Sequence, residues 1–72
     1  MPLIIFEAGP MPVEKKRDLV RSLADAASQV TGIPVQAFVT IIHENAGENI
    51  GTGNELLADR RARETAAAKR QA

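Results

Sequence analysis

The residue with the most chemistry to offer stands second in the chain. The sequence opens MPLIIFEAG, and a proline directly behind an initiator methionine becomes a free secondary amine once that methionine is removed. Methionine aminopeptidase commonly acts where the next residue is small, and Met-Pro qualifies. In mid-chain the Pro2 nitrogen is an amide and useless as a base. At a terminus it takes up a proton, and an apolar pocket disfavours its charged form and draws its pKa toward neutrality. A base poised near the working pH is what proton transfer beside a carbonyl needs. The plain alternative is a strand start, since proline is tolerated at the first residue of a strand. A second candidate is His43, next to Glu44. It has the chemistry to polarise a carbonyl or donate a proton, and equally to be a hydrogen-bonded histidine at a strand end.

Other catalytic sets are missing. With no cysteine and one histidine, Cys–His chemistry is impossible and a structural zinc site cannot be built; no metal ligands are expected. Ser22 and Ser28 lie within a helical pattern, outside any nucleophile-elbow motif. The glycines of GENIGTG lack the Lys-Ser/Thr of a phosphate loop and the dinucleotide spacing after a strand, so they read as a turn needing positive φ.

The elements that must position these groups follow from the pattern. LIIF (residues 3–6) is an apolar, β-branched run bounded by Glu7 and Gly9-Pro10, and reads as a buried strand. Pro12 stands near a helix start, with Glu14 in the first turn where the macrodipole favours a carboxylate. Residues 13–31 hold a helical period with Leu19, Leu23, Ala26, Ala27 and Val30 on one stripe and Val20 and Ala24 beside it. Gly32 stops this helix and Pro34 confirms the break. FVTII (38–42) is a second strand ending at His43 and Glu44, with Val39, Ile41 and His43 on one face and Phe38, Thr40 and Ile42 on the other. Strand, helix, strand in this order predicts a right-handed parallel crossover. ENAGENIGTGNE reads as a turn or short hairpin, and the Ala- and Arg-rich chain from Leu56 onward as a helix. The expected fold is α/β: a small βαβ domain over 1–61 and an Ala/Arg-rich tail over 62–72.

Size and charge narrow the partners. A core of 72 residues rarely supplies more than about 3–5 kcal/mol, and without disulfide or metal the remaining route to stability is self-association. A lone βαβ unit also leaves one sheet face and both sheet edges uncovered. Nine basic and nine acidic side chains cancel, which gives no field favouring nucleic acid or membrane. The tail is weakly basic, with Arg60, Arg61, Arg63, Lys69 and Arg70 against Glu55, Asp59 and Glu64, and its lack of aromatics speaks against base stacking. LIIF has no basic n-region and is broken by Glu7, so it does not read as an export signal; a cytoplasmic protein is expected.

The starting Met-Pro, the βαβ order, and the stretches PLIIFEAG, KKRDLVRSL, FVTIIHEN and ENIGTGNELLADR together resemble the 4-oxalocrotonate tautomerase family, most of all its divergent DmpI-type members. The match covers roughly residues 2–61. The resemblance implies a protomer whose strands join a partner's in a four-stranded sheet, with three such dimers forming a homo-hexamer. It implies keto–enol tautomerisation of a small 2-hydroxydienoate or 2-oxo acid, with Pro2 as general base and general acid in turn and no cofactor. The family pattern places two arginines and an aromatic at positions that match Met11, Val39 and Ile50 here. Those arginines clamp a dicarboxylate and stabilise developing charge on its carbonyl oxygen; their loss argues against 4-oxalocrotonate itself. Met11, Val39, Ile50 and His43 are the expected substrate-binding residues, the first three as apolar walls around Pro2. Lys15 or Lys16, His43, Arg60 or Arg61 of a neighbouring subunit are candidate replacements, with a solvated helix face as the plain reading of the two lysines. A catalytically silent subunit of a hetero-hexamer, or hydration chemistry on the same amine with Glu7 or Glu44 activating water, are the alternatives.

Overall fold

The computed structural model describes the backbone of residues 1–71 and the side chains of residues 1–68. Strand β1 (Leu3–Ala8) is followed by helix α1 (Val13–Thr31), a 3-10 turn over Val35–Ala37 and strand β2 (Val39–Glu44). A second 3-10 turn at Gly47–Asn49 leads into a short hairpin, β3 (Gly51–Thr52) and β4 (Glu55–Leu56), and then helix α2 (Leu57–Gln71). The architecture is the expected small α/β unit, with α1 crossing between two parallel strands. The register runs without a break from Leu3 opposite Val39 to Ala8 opposite Glu44. Two backbone bonds extend it: the Val39 N–H donates to the Pro2 carbonyl at 3.0 Å and the Asn45 N–H to the Ala8 carbonyl at 2.7 Å.

Both strands run further than their apolar residues alone suggest. β1 continues through Glu7 and Ala8, because the Glu7 carboxylate finds partners across the sheet and need not leave it. β2 starts one residue later than FVTII and runs two further, to Glu44, while Phe38 caps the preceding 3-10 turn. The hairpin turns at Gly53-Asn54, with Gly53 at φ 63°. This supplies the positive φ read from the sequence, in the position a type II′ turn reserves for glycine. Leu56 belongs to β4, so α2 begins at Leu57. Lys69 and Arg70, counted with the basic tail, have side chains outside the described part.

Helix α1 spans the expected residues and ends on Gly32 at φ 74°, whose N–H donates to the Ser28 carbonyl at 2.9 Å. Its sheet-facing line is shifted from the one the period suggests. Leu19, Leu23, Ala27 and Ser28 are half-buried and Ala24 is buried, whereas Ala26 is exposed and Val30 is 88% exposed. One helix covers two strands along a narrow line, and the flank carrying Ala26 and Val30 has no element beside it. On the covered sheet face lie Ile4, Phe6, Ala8, Thr40 and Ile42, all half-buried. On the other face Leu3 is 55%, Ile5 53% and Ile41 40% exposed.

Ala24 is the only buried hydrophobic side chain among the described residues. The radius of gyration is 17.3 Å, against about 11 Å for a compact chain of this length. A protomer of this shape has no interior of its own, which is the physical form of the deficit anticipated from its length.

Gly32→Ala removes the left-handed cap that ends α1. No atom blocks a Cβ there, so the cost is the backbone conformation alone. The expected result is a destabilisation of about 1 kcal/mol, seen as a lower thermal midpoint with unchanged far-ultraviolet helicity. An unchanged midpoint counts against the cap.

Candidate active site

The two ends of the parallel strand pair differ in chemistry. At the starting end, Pro2 is half-buried and its carbonyl is held by Val39, while Met1 is 95% exposed. Met1 therefore contributes almost nothing to packing, while Pro2 is fixed to β2 through its carbonyl. Between Arg21 and Arg60 the sequence contains no lysine or arginine, so the end of α1, the turn after it and all of β2 bring no fixed cation to Pro2.

The finishing end is polar. The Glu44 carboxylate accepts from Lys16 of α1 and, at 3.0 Å, from the Met11 backbone N–H. The loop after β1 is thereby tied to the end of β2. Glu7 is paired across the sheet: one carboxylate oxygen lies 2.8 Å from His43 Nδ1 and the other accepts from the Asn45 amide at 2.9 Å. Both carboxylates are held below the usual range, Glu7 by Asn45 and then His43, Glu44 by Lys16 and then the Met11 N–H. A carboxylate stabilised in its ionised form is a weaker base, which disfavours either one as an activator of water. Beyond this end, Arg63 of α2 makes two bonds to Glu55 at 2.6 and 3.1 Å, and Arg60 pairs with Glu64.

Of the expected wall residues, only Val39 meets Pro2 within one protomer. Met11 and His43 lie at the other end of the sheet, and Ile50 lies beyond it, accepting from the Leu57 N–H at 2.8 Å. Four register steps at about 3.3 Å each separate the Leu3–Val39 pair from Glu7–His43, roughly 13 Å. Lys16, one candidate replacement for the arginines, is engaged by Glu44. The Glu7–Asn45 bond was not anticipated. Its signal was available: a lone Glu in an apolar strand and an Asn just past the second strand fall together once the strands are paired in parallel from Leu3 and Val39.

Comparison with known proteins agrees with this architecture. The tautomerase enzyme family matches residues 2–60. The chain belongs to the tautomerase family. Among solved structures, it is similar to DmpI from Archaeoglobus fulgidus, with 36% identity and a TM-score of 0.72 over 81% of this chain and 100% of that one. It is similar to TomN, a 4-oxalocrotonate tautomerase homologue in the tomaymycin biosynthetic pathway, with 31% identity and a TM-score of 0.78 over 85% of this chain and 95% of that one. A further 4-oxalocrotonate tautomerase homologue shares 32% identity and a TM-score of 0.75 over 82% of this chain and 95% of that one. No curated protein matches the chain. Family membership supports an isomerase of the tautomerase kind, and residues 61–72 lie outside the matched region. No described helix is long and apolar enough to cross a membrane.

The Lys16–Glu44 contact gives a pH test. The folded-state pKa of Glu44 lies below its ordinary value of 4.5, so the stability it contributes is complete above that value and is lost as pH falls through the lower, folded one. Lys16→Met removes the largest cause of the shift. Thermal midpoints of the variant should lie below those of the unaltered protein at neutral pH, with the gap closing in acid. A gap that stays constant down to about pH 2, well below an ordinary carboxylate, rules the linkage out.

Proposed function

We propose that the protein catalyses keto–enol tautomerisation of a small 2-hydroxydienoate or 2-oxo acid, using the Pro2 amine exposed by loss of Met1. One observation carries this reading: Pro2 is half-buried and backbone-anchored to β2, directly behind a methionine that touches almost nothing. An amine so held loses little freedom on binding a substrate, and apolar surroundings favour its neutral, basic form. Pro2 takes the proton from the enol hydroxyl as general base and returns it to carbon as general acid. Neither step calls for a cofactor. The wall residues are Met11, Val39 and Ile50, with His43 beside them. The pairing of Glu7 and Glu44 with other groups supports tautomerisation over hydration.

The same reading includes a homo-hexamer built from dimers that share a four-stranded sheet, in a cytoplasmic setting, with a boundary between enzyme domain and tail after residue 61. The apolar sheet face of Leu3, Ile5 and Ile41 supports assembly. Pro2 lies five strand steps from the level of His43, roughly 16 Å, and Met11 is tied to the same far end through Glu44, so a site holding all of them draws on more than one copy.

Two experiments test this. Ketonisation of 2-hydroxymuconate and phenylenolpyruvate is followed with protein whose Met1 loss is confirmed by mass, beside its Pro2→Ala variant. Loss of a general base predicts a fall in kcat of about 10²–10⁴-fold; equal rates sink the proline mechanism for these substrates. Separately, Ile5→Glu places a charge on the uncovered face, and the mass in solution should drop from a hexamer toward the single chain. A hexamer that survives the substitution removes that face from the assembly.

A further inference from the structure

The Glu7–His43–Asn45 cluster is more than a strand-end hydrogen bond. The ionised Glu7 carboxylate only accepts, so its 2.8 Å contact is donated by His43 Nδ1. Asn45 occupies the second carboxylate oxygen at 2.9 Å and fixes its plane. This holds the neutral imidazole in one tautomer, and among the described residues the lone pair of Nε2 has no partner, on a side chain 48% exposed. A carboxylate orienting an imidazole so that its far nitrogen can take a proton is the working arrangement of a general base. The cluster lies on the uncovered sheet face, and neither β1 nor β2 contains a lysine or arginine. His43 is therefore the one side chain of the two strands that offers a nitrogen lone pair to a proton.

Its own Pro2 is out of reach at the other end of the strands. Two copies that join their strands in one sheet about a twofold axis perpendicular to them run those strands in opposite directions, which sets the start of one beside the finish of the other. We infer that His43, oriented by Glu7, is a second acid–base group of the tautomerase site and serves the Pro2 of a different copy. This rests on the proline reading above and replaces one half of it: His43, in place of Pro2, takes the enol proton, while Pro2 enters the cycle protonated and acts only at carbon. The enol O–H bond breaks and its proton passes to His43 Nε2; the electron pair forms the carbonyl; the protonated Pro2 amine gives its proton to carbon. The product leaves with the imidazole protonated and the amine neutral, and a proton returns from one to the other through water. Pro2 then acts at carbon and His43 at oxygen. Glu7 is a positioning residue.

The test uses His43→Gln, which keeps a hydrogen-bonding side chain but cannot carry the proton, in Met1-free protein with phenylenolpyruvate. The expected result is a fall in kcat of about 100-fold with KM little changed. His43→Gln and Pro2→Ala chains are then co-expressed with different tags, and assemblies holding both are isolated. Random mixing of equal amounts leaves about a quarter of the sites with an intact Pro2 from one chain and an intact His43 from another, so activity should recover to roughly a quarter of the unaltered protein. Wild-type rates for His43→Gln overturn the inference. So does a low rate that mixing fails to raise, which would place both groups in one copy or make His43 merely structural. If Pro2→Ala alone runs at the unaltered rate, the proline reading fails first, and the His43→Gln rate reads the histidine separately.

Discussion

The structure turns on a shortage of covering surface. Two parallel strands rich in Ile, Leu and Val need apolar cover on both faces, and a chain of this length provides one helix. α1 shields Ile4, Phe6 and Ile42 only to half-burial, and among the described residues Ala24 alone is buried. Leu3, Ile5 and Ile41 remain in water on the far face, where covering the exposed half of each side chain would contribute about 1 kcal/mol. The strand edges present unpaired backbone groups to the same solvent. Each of these deficits is of a kind that a second surface of matching character would offset, which is the physical ground for the assembly proposed above.

Polar contacts settle the geometry that burial leaves loose. Glu44 gathers Lys16 and the Met11 N–H, joining the first loop, the start of α1 and the end of β2. Glu7 gathers His43 and Asn45 across the strand pair, and Arg63 ties α2 back to the hairpin through Glu55. All of these pairs are partly exposed, so their worth lies in orientation more than in free energy. They cluster at the finishing end of the strands. The starting end is held by backbone alone, through Val39 and Pro2. The lysine- and arginine-free stretch from 22 to 59 adds no fixed cation to that end, while the charged pairs lie elsewhere.

Much of this was legible in the residues. The β-branched runs marked both strands, the helical period with Pro12, Gly32 and Pro34 marked α1 to the residue, and the Gly-Asn-rich segment marked the hairpin. The strand ends were harder, because a charged residue such as Glu7 looks like a terminator until the parallel register supplies its partners. Val30 and Ala26 were misplaced for a related reason: the period shows which side of a helix is apolar, but not how far the surface beneath it extends. At the site, proximity of Met11, His43 and Ile50 to Pro2 came from resemblance, and sequence spacing carries no information on which copy provides each residue.

The parallel strand pair separates the residues of the proposed site within a single chain. Parallel pairing forces Pro2 and Val39 to one end and His43, Glu44 and the Met11 loop to the other. No side-chain rotation bridges a gap of roughly 13 Å. In the proposed assembly, an antiparallel relation between copies would close it without any change within the chain. Edge pairing and face covering are thus two separate demands of one small chain: the first concerns the strand ends that carry Pro2 and His43, the second the apolar face of Leu3, Ile5 and Ile41.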